Sequence, residues 1–227
     1  MTLLYAYEIV LALSLQVPII GEIRSTSRSL LFVQHSEEEG IWTHHQELCT
    51  IIVQDNIRFT QTTIPQAFID AIPPKTIPLR REQKGEYTHV SWDTPLHQVG
   101  FNSADGVLPS DIDDPRVYDW DKDGRAAATL LIEVPILGVV ETYIVQKSDL
   151  KYYGSYLSNR AGAVTGAIEF EAIEQKILDA TSPIFKHSAS AQGIAEESYF
   201  TLIPIDAPGC EAALKALYPL SVHSWLE

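Results

Sequence analysis

The chain has 227 residues, 45% of them hydrophobic and 20% charged, with a formal net charge of -14. A chain of this size buries about 70% of the surface its unfolded form exposes, and a mean hydropathy of -0.01 excludes wholesale disorder. With 30 Asp and Glu against 16 Lys and Arg, it lacks the basic footprint a nucleic-acid backbone requires and has no attraction to an anionic membrane.

The length fits one domain, 1-227. Leu3, Tyr5, Tyr7, Ile9, Leu11, Leu13, Leu15 and Val17 recur at period two, with Glu8, Ser14 and Gln16 on the opposite face. That alternation predicts a half-buried strand over 3–17, its pairing ended by Pro18. The first basic residue is Arg24, so a signal peptide's basic n-region is missing, and Glu8 opposes a membrane span. No other segment reads as an integral membrane span.

Segments 29–36 and 41–54 read as a hairpin across Glu37-Glu38-Glu39-Gly40, where the glycine supplies positive φ. A short helix follows over 65–71, then strands over 76–81, 87–92 and 98–101, and a polar loop over 102–125. Residues 126–134, 139–148, 150–160, 164–178 and 198–205 complete the strands, and 208–217 is a helix rich in Ala and Leu. No period repeats, and no strand–helix alternation supports a parallel sheet. The fold expected is all-β and mainly antiparallel: a barrel of about eight to ten strands plugged by the C-terminal helix, with a β-sandwich as the alternative.

Cys49 and Cys210 are the two cysteines. The residues leave three readings open: separate buried thiols, a disulfide tying an early strand to the last helix, or a reactive Cys210 thiolate at a helix start.

Between Asp105 and Arg125 there are seven Asp against Arg116, Lys122 and Arg125. Asp119, Asp121 and Asp123 before Gly124 reproduce the first half of a Ca2+ loop, in which alternate carboxylates converge on a hard cation. An EF-hand is rejected, because the ninth and twelfth positions are Ala127 and Leu130. A calcium hairpin completed by Asp111, Asp113 or Asp114 stands beside a solvated turn held by Asx-type hydrogen bonds. The string around Asp119 and Asp121 also imitates a phosphatase nucleophile strand, but that chemistry needs a parallel sheet.

Histidines 44 and 45 face opposite sides of a strand. His35 meets His44 only if the hairpin turn has two residues, so Zn2+ is set against exposed strand histidines. Glu169 and Glu171 alternate with apolar residues and read as a solvated strand face rather than a glycosidase pair. Gly40-Ile41-Trp42 matches the short Gly-x-Trp signature of lipocalins.

Gly21-Glu22 through Arg28-Ser29, the Pro115–Gly124 block, Tyr143–Lys147 and the Tyr199–Ile203 run leading to Cys210 together resemble a family of uncharacterised bacterial secreted proteins and lipoproteins. The resemblance implies a calycin-type (lipocalin-like) barrel in an extracytoplasmic location, periplasmic or secreted, with Cys49 and Cys210 paired. Three functions follow as expectations. The first is a non-catalytic protein holding a small apolar ligand in its lumen, with Ala126, Ala128, Gly162 and Gly166 small enough to leave room. The second is a Ca2+-stabilised structural or interaction module of the cell envelope. The third, a metal-dependent hydrolase, lacks a nucleophile or base at recognisable spacing.

Overall fold

The structure is a computed structural model, and it describes residues 1–17, 21–56, 60–135, 137–158, 163–186 and 191–223. Two residues given roles above, Pro18 and Gly162, lie outside these. Eleven strands and two helices follow in chain order: β1 (Thr2–Val17), β2 (Gly21–Glu38), β3 (Ile41–Asp55), β4 (Gln61–Thr63), α1 (Gln66–Asp70), β5 (Lys75–Pro78), β6 (Arg80–Lys84), β7 (Tyr87–Val99), β8 (Ala128–Val134), β9 (Gly138–Leu157), β10 (Val164–Ala180), β11 (Ala191–Pro204) and α2 (Cys210–His223).

All eleven strands belong to one sheet, ordered β4-β8-β9-β10-β11-β1-β2-β3-β5, with β7 also on β9 and β6 on β7. Every ladder between them is antiparallel. The all-β expectation is therefore met, and a single curled sheet takes the place of two stacked ones. The long β9 pairs with β8 along Gly138–Ile144 and with β7 along Gln146–Leu157. The sequence divides this strand at Ser148-Asp149, yet β9 runs straight through. Its neighbours absorb the irregularity instead, with register shifts between Thr94 and His97 and between Phe170 and Ala172.

Curling brings the flanks together through β5 and β6, which are consecutive on the chain. β5 pairs with β3 and β6 pairs with β7. At the joint between them, the Leu79 amide donates to the Trp42 carbonyl at 2.9 Å. Arg81 lies over the Trp42 ring at 4.4 Å and donates to the Tyr156 hydroxyl at 2.8 Å. Farther along β3, the Thr62 hydroxyl of β4 donates to Asp55 at 2.6 Å.

The apolar stripe of β1 faces inward as its period requires, with Tyr5, Tyr7 and Ile9 in the interior core. Its other face is buried as well. Ala6 joins Leu30 and Phe32 of β2 in a separate cluster with Ala213 and Leu217 of α2. Glu8, only 6% exposed, is matched by Arg28, whose Nε donates to it at 2.8 Å. The helix α2 therefore lies on the outside of β1–β3 and does not plug the barrel. Odd positions of β1 point to the lumen, while Leu4 and Ala6 pack with α2 on the exterior face. Cys49 of β3 and Cys210, at the first turn of α2, are joined as a disulfide with 5.4 Å between Cα atoms.

Candidate functional site

The interior divides into a filled half and an open half. In the filled half, Trp92 stacks on Tyr152 at 5.1 Å and on His44 at 4.6 Å, with the Phe200 ring edge-on at 5.0 Å. Phe200 needs room on its own sheet, and Gly154 and Gly166 provide it. Register sets Gly166 opposite both of these residues, and a Cβ at Gly166 would stand 2.3 Å from the Phe200 ring. Gly166 thus accommodates an aromatic ring instead of leaving lumen space. Of the other small residues assigned to the lumen, Ala126 is exposed and Ala128 is fully buried in packed core.

The open half holds a cavity of about 430 Å3. Leu11 and Leu13 of β1, Ile51 of β3, Val99 of β7, Leu130 of β8 and Ile173 of β10 supply much of its wall. Phe68 of α1 and Phe185 close in from the connecting segments. Asp55 and three threonines line the cavity too, and its other polar groups come in two sets. Ser25, Ser27 and Ser29 line it from alternate positions of β2; Gln146 and Gln175, directly paired across β9 and β10, line it together with His97. His97 Nε2 is buried without a hydrogen-bond partner. Burial, reinforced by the Lys75 charge, lowers this imidazole to about 4, so it is neutral near pH 7. The serine track has its own mark in the sequence, small hydroxyl residues at period two inside an otherwise regular strand.

The acidic loop lies between β7 and β8. Asp111 accepts the Asp113 amide at 3.0 Å, an Asx turn. Asp114 is engaged by Arg116, with Nη2 donating at 2.7 Å and Nε at 3.0 Å. Those hydrogen bonds hold its carboxyl at about 2. Asp119, Asp121 and Asp123 do converge, offering one oxygen each within 4.8 Å of one another, and among the described residues they are the one acidic, His or Cys group so arranged. Asp111, Asp113 and Asp114 are not part of that group. Asp119 organises the turn by accepting the Asp123 amide at 3.1 Å and the Gly124 amide at 3.0 Å. Gly124 adopts φ 88°, the left-handed conformation that favours glycine.

Two residues, Glu39 and Gly40, make the β2–β3 turn, which sets His35 opposite His44. Both rings are buried, at 3% and 0% exposure, so neither is an exposed strand histidine. No third ligand joins them among the described residues. Glu169 and Glu171 lie on the exposed face of β10, where Glu171 pairs with Lys151.

Comparison with protein-family models, with curated proteins and with solved structures finds no match. Neither the comparisons nor the geometry gives a positive sign of catalysis, and among the described residues no helix is long and apolar enough to cross a membrane.

Proposed function

We propose that this chain is a non-catalytic binding protein of an extracytoplasmic compartment that holds a small, mainly apolar ligand in its lumen. The observation that carries this reading is the 430 Å3 cavity, whose size lies in the range typical of small-molecule sites. Aliphatic side chains make up most of its wall, and hydroxyls, two glutamines, His97 and Asp55 supply polar groups to orient a ligand. The Cys49–Cys210 bond supports the compartment, since disulfides persist where the environment is oxidising.

The test is a thermal-shift and native mass-spectrometry screen with fatty acids, retinoids and haem. A binder is expected to raise the melting temperature by several degrees when present far above its Kd. Ile51→Trp, which fills the cavity from β3, is expected to abolish that shift while the circular-dichroism spectrum stays that of the parent. If no class binds, or if the binder shifts Ile51→Trp equally, the lumen is not the site.

A further inference from the structure

The acidic loop contains one group that ordinary turn chemistry does not explain. Asp121 is 5% exposed. Its Oδ2 accepts the Thr129 amide at 2.9 Å, whereas Oδ1 is buried with no hydrogen-bond partner. A bare carboxylate oxygen out of water is costly unless a counter-charge meets it. None of the ion pairs among the described residues involves Asp119, Asp121 or Asp123. The neighbouring Arg125 is turned toward Glu141, 4.0 Å away, and Lys122 is exposed.

We infer that Asp119, Asp121 and Asp123 form a binding site for a hard divalent cation of calcium's size. Oxygen is the only donor type they present, which selects a hard ion. Ca2+ binds oxygens at roughly 2.3–2.6 Å, so two ligands of one ion stand at most about 5 Å apart. The three carboxylate oxygens lie within 4.8 Å of one another, inside that limit. Mg2+ demands near-ideal octahedral geometry and gives up its waters reluctantly, so a flexible set of loop carboxylates favours the larger ion. Asp119 already spends one acceptor position of each oxygen on backbone amides, which fixes its carboxylate in place and leaves further lone pairs free.

Water completes the shell, because the ninth and twelfth positions of an EF-hand, Ala127 and Leu130, are buried and apolar here. With few protein ligands, the affinity belongs at the weak end of calcium sites, at a Kd of roughly 0.1–1 mM. The ion's structural effect follows from the Thr129 bond: Asp121 holds the start of β8, and the next residue, Leu130, lines the cavity.

The experiment uses the full chain with its disulfide intact. Terbium serves as a calcium-sized probe, because Trp120 lies between two of the ligands and can sensitise its emission. Saturable terbium luminescence that Ca2+ displaces is expected. So is a melting temperature higher by roughly 5–10 °C at Ca2+ a hundredfold above Kd, with a clearly smaller rise in equal Mg2+. Asp121→Asn, which keeps an acceptor for the Thr129 amide, should weaken Ca2+ by roughly tenfold or more, and Asp111→Asn should leave it unchanged. If Asp121→Asn does not fold, Asp123→Asn on the exposed side of the group takes its place with the same expectation. Indifference of the wild type to 10 mM Ca2+ would overturn the site, as would unchanged affinity in the folded variant or equal responses to the two ions.

Discussion

At the scale of single residues, the buried histidine pair has one consistent proton arrangement. His44 Nε2 lies 3.1 Å from the Gln46 amide oxygen and must donate to it, so Nδ1 of the same ring is the acceptor. His35 Nε2, 2.9 Å from that Nδ1, is then the donor. Each ring is neutral: a second proton on His44 would remove the acceptor that His35 uses, and one on His35 would place a charge out of water. Burial drives both downward: His35 to about 3, with help from the Arg81 charge, and His44 well below its ordinary value. His97 is held at about 4 by the same cause. In the unfolded chain all three bind protons near pH 6.5. Because the folded values lie lower, their contribution to stability is complete above about pH 6.5 and is lost as pH falls toward 3. Urea denaturation at pH 7, 6 and 5 is expected to show falling stability. His35→Gln, with one titrating group removed, should show a slope shallower by up to about 1.4 kcal/mol per pH unit. A flat wild-type profile across that window would contradict the buried neutral pair.

At the scale of elements, the closest fit in the sheet is where β9, β10 and β11 meet beneath Phe200. A Cβ added at Gly166 would lie 2.2 Å from the Tyr153 carbonyl oxygen as well as 2.3 Å from the Phe200 ring. The ring can move but the carbonyl belongs to the ladder, so the strain cannot be relieved by a rotamer change alone. Gly166→Ala is expected to destabilise by about 2–3 kcal/mol, and Phe200→Leu in the same chain should recover only part of the loss, as read by denaturant midpoints. This glycine also shows where sequence patterns stop. Period two made β1 legible, because half of its side chains must avoid water, and a hairpin turn ending at Gly40 was legible because positive φ favours glycine, though its two-residue length was not. What a glycine faces depends on the register of two other strands, which no local pattern encodes. The same limit applies to α2. Its alternation of Ala and Leu announces a buried side, yet whether that side meets the lumen or the outer face of β1–β3 depends on how the sheet curls. In the acidic loop, the spacing of Asp119, Asp121 and Asp123 was legible, whereas the burial of Asp121 against Thr129 was not, because β8 creates it from outside the motif.

At the scale of the whole molecule, one device holds the curl of the sheet and another seats the helix on its outer face. One is the bridging stretch through Leu79, which ties β3 to β7 by short ladders on either side. The other is the disulfide, which spans a sequence separation of 161 residues and anchors α2 to β3. Closing so long a loop removes unfolded-state entropy equivalent to about 5 kcal/mol as an upper figure. Its effects on the two elements differ. The barrel strands keep their ladders without the bond, whereas α2 is held otherwise by a small apolar contact centred on Ala213 and Leu217 against Ala6, Leu30 and Phe32. A 14-residue helix is marginal when isolated in water. The paired replacement Cys49→Ala, Cys210→Ala is therefore expected to lower stability by about 2–5 kcal/mol. Hydrogen exchange should then show α2 amides opening well before those of β1 and β2. The lumen does not touch α2, so ligand binding in the cavity should survive the loss. If α2 and the barrel instead open together with unchanged stability, the contact with Leu30 and Phe32 alone seats the helix, and the disulfide adds nothing to the native state.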